Sequence, residues 1–475
     1  MRHASVWGQG YATPDLRLLF VPNEEYPMFT SIDPATGAPG QSYAELTGAE
    51  IETKLARAHA TFCEWRVTDL ATRTALLERI AEQFDANTQR LAETATREMG
   101  KTLKSAIAEV QKCAQAFRHY AQEGAAMLEP RSFPGATATW HPMGPVLAVM
   151  PWNFPYWQVV RFMAPTILAG NVGLLKHASS VQGCAAALEE MVIAAGGPAG
   201  LFQNLAIKSD KVEALIADDR IVAVTLTGSE GAGMKVAEAA GRALKKVVLE
   251  LGGSDPFIVM PSADLEAAAK AAVTARVQNT GQSCICAKRM IVHADVYDAF
   301  LAKFSAGMQA AVAGDPMDAA SDMGPLSSEE QRATVLGQLK LFEQAGAKLL
   351  FGGEALPGKG AYMSAGILVD VPIDHEVANE ELFGPIAMLF KASDIDEAIS
   401  IANAVPFGLG SSVWTQDADE RARFERDIEA GMIAVNKMLA SAPEAPFGGV
   451  KRSGHGRELG PYGLHEFMNL KTVLA

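Results

Sequence analysis

Residues 145–155 read Pro145-Val146-Leu147-Ala148-Val149-Met150-Pro151-Trp152-Asn153-Phe154-Pro155, an apolar run that ends in a polar turn between prolines. A short apolar run bounded by turn residues is what a strand buried on both faces requires. The same reading repeats downstream. It gives a helix over 156–169, a strand over Val172–Lys176, a helix over 180–195, a strand near 201–205, a helix over 209–217, a strand over Ile221–Thr227, a helix from Gly231 and a strand over Lys246–Leu251. Strand and helix in alternation predict a parallel sheet covered by helices, with ligands at the carboxyl ends of its strands.

Working outward towards the N-terminus, residues from Ala49 to about Met127 carry apolar side chains at three- and four-residue spacing and read as helices broken at Gly100. Gly124, Pro130, Pro134 and Gly135 bracket a two-stranded excursion over 124–141, and residues 1–28 read as an extension. Towards the C-terminus a second α/β unit begins at Pro256. It has a strand over Phe257–Met260, a helix over 264–277, a strand over Met290–His293 and a helix over 296–312. Between its first helix and second strand lies Gln278-Asn279-Thr280-Gly281-Gln282-Ser283-Cys284-Ile285-Cys286-Ala287-Lys288-Arg289, a tight polar loop around Cys284.

A free cysteine is more often a small buried hydrophobe than a nucleophile, so Cys284 alone decides nothing. Asn153, at the end of a buried strand, is an oxyanion donor or a turn former. Glu250, in the apolar strand that ends at Gly252-Gly253, has its charged form disfavoured; it is a candidate general base or an edge-strand charge. Together the three supply a nucleophile, an oxyanion donor and a base. Gly228-Ser229-Glu230-Gly231-Ala232-Gly233 follows a strand and opens a helix, so its amides can face a pyrophosphate, although glycines joining strand to helix need bind nothing. Lys176, at another strand end, points towards the same crevice as a compact charge for ribose or phosphate.

Composition bounds the partners. At 475 residues the chain exceeds one core and divides into two or three domains. A net charge of −14 argues against nucleic acid or an anionic membrane surface, so an anionic substrate must meet a local positive group. The five cysteines, at 63, 113, 184, 284 and 286, form no disulfide framework, and no Cys or His cluster has metal-ligand spacing, so no metal is expected. No leader-like segment or stretch of 18 apolar residues is present, which makes the cytosol the expected compartment.

The wording PWNFP at 151–155, TGS at 227–229, LELGG at 249–253, GQSC at 281–284, EELFGP at 380–385 and PFGGVKRSG at 446–454 resembles the aldehyde dehydrogenase superfamily over about residues 29–475. The finer wording is similar to bacterial succinate semialdehyde dehydrogenases. The resemblance implies an aldehyde dehydrogenase-like α/β fold. Its parts would be a Rossmann-type cofactor domain (29–123 and 142–253), a catalytic domain (254–452) and a small β oligomerisation segment (124–141 and 453–475) that ends in a strand pairing with another subunit of a homodimer or homotetramer. It implies oxidation of a small aldehyde to an acid by NAD or NADP, through a thiohemiacetal and thioester on Cys284, with Asn153 and the Cys284 N–H holding the oxyanion and Glu250 activating water.

By the same resemblance Trp152, Lys176, Ser179, Gly228, Ser229, Gly233, Leu251, Glu381 and Phe383 bind the cofactor. Ser179 stands where strongly NAD-preferring members often carry glutamate, so NADP is not repelled and can be favoured. Arg161 and Ser441 match positions that hold the substrate carboxylate. Gln278 departs from the pattern, because many such enzymes carry a second arginine there, and a neutral amide is the weaker donor. Cys286, two residues past Cys284, could form a redox pair with it or merely fill space. A broad-specificity enzyme, a CoA-acylating enzyme and a non-catalytic binding protein on the same fold remain as alternatives.

Overall fold

The computed structural model describes residues 28–475. The N-terminal extension therefore lies, save for Met28, outside the described residues. Two parallel sheets organise the rest. The first has six strands in the order Gly454–His455, Lys246–Glu250, Ala223–Thr227, Pro145–Met150, Val172–His177 and Phe202–Asn204. All of its pairings are parallel except that of Gly454–His455 with Lys246–Glu250. Its central strands are buried except at Val149, which is why they read as unbroken apolar runs.

The second sheet has seven strands, in the order Lys348–Phe351, Gly366–Val369, Ile386–Ala392, Arg289–His293, Pro256–Val259, Gly410–Trp414 and Met432–Val435. Only Lys348–Phe351 runs antiparallel to its neighbour. Helices cover both sheets. One core lies around the first sheet and also takes in Phe447, Leu459, Leu464 and Phe467 from the end of the chain. Two further cores lie at the second sheet. Among the described residues no helix is long and apolar enough to cross a membrane.

The excursion starts later than residue 124. Helix Leu103–Met127 runs through Gly124, in keeping with the helical reading to about Met127. A Cβ there would sit 2.1 Å from Leu168 Cδ2, so the glycine allows close approach to helix Trp157–Ala169. The C-terminal strand Met468–Leu474 pairs antiparallel with Ala136–Pro142 of its own chain along its whole length, from Met468 opposite Pro142 to Leu474 opposite Ala136. Its other edge has no partner strand among the described residues.

Between Pro155 and helix Trp157–Ala169 the chain is anchored by a buried charge. Glu109 Oε1 accepts the N–H groups of Tyr156 and Trp157 at 2.9 Å, and Glu109 Oε2 pairs with Lys101 at 2.5 Å. A buried pair with its remaining lone pairs satisfied fixes geometry even where its net energy is small. Here it fixes how the backbone leaves Asn153.

Candidate active site

Helix Leu265–Val277 delivers the chain into the loop of Cys284. Asn279, Thr280 and Gly281 then take φ of 52°, 55° and 74° in succession. Glycine adopts this left-handed region freely, and at Gly281 a Cβ would lie 2.2 Å from the Gly384 carbonyl oxygen. Asn279 and Thr280 are held there against their preference. Asn279 Nδ2 donates to the Asn153 carbonyl at 2.9 Å, Thr280 Oγ1 to that of Gly324 at 3.1 Å, and Arg276 Nη2 to that of Gly281 at 2.7 Å. Buried Lys288 donates to the carbonyls of Ser283 and Cys284 at 2.9 and 2.7 Å and pairs with Glu381 at 3.1 Å.

Cys284 emerges half-buried from this loop. Burial pushes its thiol up to about 12, against the pull of Arg161 and Lys288. The backbone around it is a turn, for the Cys286 N–H donates to the Ser283 carbonyl at 3.2 Å. Cys286 is buried, and its thiol faces the Gln278 carbonyl at 3.7 Å.

A cavity of about 280 Å³ opens between the sheets, with Cys284 and Asn153 in its wall. The Asn153 amide donates one hydrogen to the Gln282 carbonyl at 3.1 Å, which orients the side chain and leaves the second hydrogen without a partner among the described residues. Trp152, Gly228, Ser229 and Leu251 line the same cavity, and Glu381 and Phe383 reach it from the other sheet. Trp152 and Phe383 meet edge to face at 5.8 Å.

Ser229 caps helix Glu230–Arg242, with Oγ accepting from the Ala232 N–H at 3.4 Å. Beside it Gly231 faces open space and Gly228 meets only Leu226 at 3.6 Å, so the glycine-lined helix start has room for a phosphate to approach. Gly233 is not in the wall. Its missing side chain makes way for Leu251, which would lie 2.7 Å from a Cβ there. Lys176 and Ser179 also lie outside the wall. Lys176 is buried at its strand end with its ammonium disfavoured by burial, and Ser179 is exposed in the short turn Ser179–Val181.

Glu250 lines neither this cavity nor the smaller one beyond Cys284. It is 2 % exposed, and a Cβ on Gly448 would come within 2.6 Å of its Oε1. Burial and the nearby Glu458 carboxylate push its carboxyl well above the usual range. Glu458 is itself buried beside it.

The smaller cavity, about 90 Å³, shares Cys284 and Gln158 with the first and brings Arg161, Gln278 and Ser441 together. Arg161 is placed both to pair within the protein and to meet a substrate carboxylate. Its Nε lies 2.7 Å from Glu458 Oε2 and its guanidinium 4.4 Å over the Phe447 ring, while Nη2 has no hydrogen-bond partner among the described residues. Two side chains of this site were not foreseen. Glu458, in Arg457-Glu458-Leu459, reads as an ordinary surface charge. Lys112 belongs to the helix over 103–127 and carries no motif that would signal its place in the wall.

The sequence matches the family model described as Aldehyde dehydrogenase family over residues 20–473. It is 50% identical over 450 residues to succinate-semialdehyde dehydrogenase (NADP(+)) 1 of Mycobacterium tuberculosis, covering 93% of this chain and 98% of that protein. It is also 50% identical over 451 residues to succinate-semialdehyde dehydrogenase (NADP(+)) of Mycobacterium avium, covering 93% and 96%. Among solved structures, succinic semialdehyde dehydrogenase from Streptococcus pyogenes in complex with NADP+ superposes with a TM-score of 0.91 at 38% identity, over 94% of this chain and 99% of that one.

Proposed function

The chain belongs to the aldehyde dehydrogenase family, and from that premise we propose that it oxidises succinate semialdehyde to succinate, with NADP, or NAD in its place, taking the hydride. The observation that carries the substrate is the small cavity behind Cys284, where Arg161 and Ser441 converge. A guanidinium fork and a hydroxyl are what a short aldehyde with a distal carboxylate requires. The curated relatives named above are named for that substrate and for NADP.

The residues divide the work. Cys284 adds to the aldehyde carbon as thiolate, and its bond to carbon forms as the carbonyl oxygen gains charge. The free hydrogen of the Asn153 amide and the Cys284 N–H hold that oxyanion. The bound dinucleotide supplies a hydride acceptor at the thiohemiacetal carbon; Trp152, Gly228, Ser229, Leu251, Glu381 and Phe383 would hold it in the larger cavity. Glu250 takes a proton from the water that cleaves the thioester, and burial with the Glu458 charge raises its carboxyl, which makes it a stronger base. To do so its side chain must swing from the Gly448 side towards Cys284. Hydrolysis is what needs this base, which disfavours transfer to CoA.

Assembly into a homodimer or homotetramer is part of the same proposal, supported by the open edge of strand Met468–Leu474, where Leu474 is 81 % exposed. Steady-state kinetics on a panel of small aldehydes with NAD and NADP test the assignment, with succinate semialdehyde and NADP expected to give the highest kcat/KM. A neutral aldehyde used equally well would overturn the substrate, and turnover retained in Cys284→Ala would overturn the chemistry.

A further inference from the structure

The cavity that holds Arg161 and Ser441 has a second cation in its wall, and it comes from a different element. Lys112 Nζ donates to Ser441 Oγ at 3.0 Å and lies 4.2 Å from the centroid of the Trp157 ring, whose Nε1 donates to the same oxygen at 3.0 Å. A hydroxyl has two acceptor sites and one proton. With both acceptor sites filled by obligatory donors, the Ser441 proton must be given elsewhere.

Arg161 is already paired with Glu458 at 2.7 Å. Lys112 has no carboxylate within ion-pair distance among the described residues. It is half-buried, and the neighbouring guanidinium of Arg161 acts against its charge. Two cations lining one small cavity favour an anion between them. Position 278, where an arginine would complete the set, holds only a neutral amide.

Resting on the substrate reading above, we propose that Lys112 is a binding residue for the distal carboxylate of the substrate. Its ammonium supplies the charge that Gln278 lacks and also polarises the Ser441 hydroxyl towards the same carboxylate. Specificity for an acidic aldehyde is then set by a pair of cations from two helices, Leu103–Met127 and Trp157–Ala169.

The test compares succinate semialdehyde with butanal, which has a methyl group in place of the carboxylate, at saturating NADP. Lys112→Met should lower the ratio of kcat/KM for the two aldehydes by about 10- to 100-fold, mainly through KM for the acidic one, while Lys112→Arg keeps most of it. The groups facing Lys112 are Arg161 from the next helix, Glu444 from the loop after Ser441, and Glu109 and Cys113 on its own helix. Burial and Arg161 bring its ammonium down to about 8, so the wild-type ratio should fall as pH rises through that value and stay level in Lys112→Arg.

Equal losses on both aldehydes, or a ratio unchanged by Lys112→Met, would overturn the assignment while leaving the substrate reading intact. If Lys112→Met does not fold, a wild-type ratio that stays level above pH 8 overturns it equally well. If the wild type shows no preference for the acidic aldehyde, the substrate reading has failed instead, and succinate as an inhibitor of butanal oxidation decides for Lys112. Inhibition weakened at least about tenfold in Lys112→Met retains the site, and inhibition absent or unchanged rejects it.

Discussion

At the scale of single residues, the environment of Glu250 makes a separable prediction. Glu250→Gln should release one equivalent of reduced cofactor per site and then stall, because hydride transfer precedes the step that needs the base; the steady rate should fall by about 100-fold or more. Since burial and Glu458 raise this carboxyl, lowering the pH through its raised value protonates the base. The wild-type steady rate should then fall while the burst persists, as stopped-flow absorbance would show. At position 179, Ser179→Glu should lower the NADP to NAD ratio of kcat/KM by at least about fivefold. Ser179 lies outside the cavity wall, so an unchanged ratio would place the ribose elsewhere. For Cys286, peroxide oxidises the Cys284 thiolate to a sulfenic acid, and condensation with the Cys286 thiol expels water and leaves a disulfide that dithiothreitol reduces. The turn from Ser283 to Cys286 brings the two residues closer than an extended loop would. Full recovery in the wild type but not in Cys286→Ala supports the pair; identical recovery in both removes it.

At the scale of elements, the loop of Cys284 tolerates little. Gly281→Ala places a Cβ against the Gly384 carbonyl in a left-handed conformation, which should cost about 3 kcal/mol in a thermal or denaturant melt. It should also misplace the thiol enough to lower kcat by about 100-fold. A variant of unchanged stability would show that the loop relaxes. The same loop shows what a sequence can and cannot reveal. Gly281 and Cys284 were legible because glycine before a polar turn has a local meaning. The left-handed Asn279 and Thr280 were not, since the bonds that hold them come from Asn153 and Gly324, distant in the chain. Strands buried on both faces declared themselves as apolar runs. Gly124 reads as the start of the excursion because a glycine that admits Leu168 looks the same in sequence as one that opens a turn. Lys112 was invisible because a helical lysine reads as solvated, whatever cavity the neighbouring helix builds beside it.

For the whole molecule, the bonds around Cys284 bear on when the enzyme becomes active during its own folding. The loop is clasped from both sheets: Asn279 holds the Asn153 carbonyl beyond strand Pro145–Met150, and Lys288, Thr280 and Gln282 hold groups on the other body, with Gln282 Oε1 accepting from the Ser327 N–H at 2.9 Å. Neither half alone can shape the nucleophile. A chain of this size folds body by body, so the site is made only when the two dock. On dilution from denaturant, helical circular dichroism should return before turnover does, and the lag should end as Trp152 and Phe383, which stand on opposite sides of the junction, come into contact. Turnover returning in step with the helical signal would mean that docking precedes the folding of either half. For a nascent chain, thiol chemistry is then a clock that starts last. The cysteine stays an ordinary thiol until both halves fix its geometry.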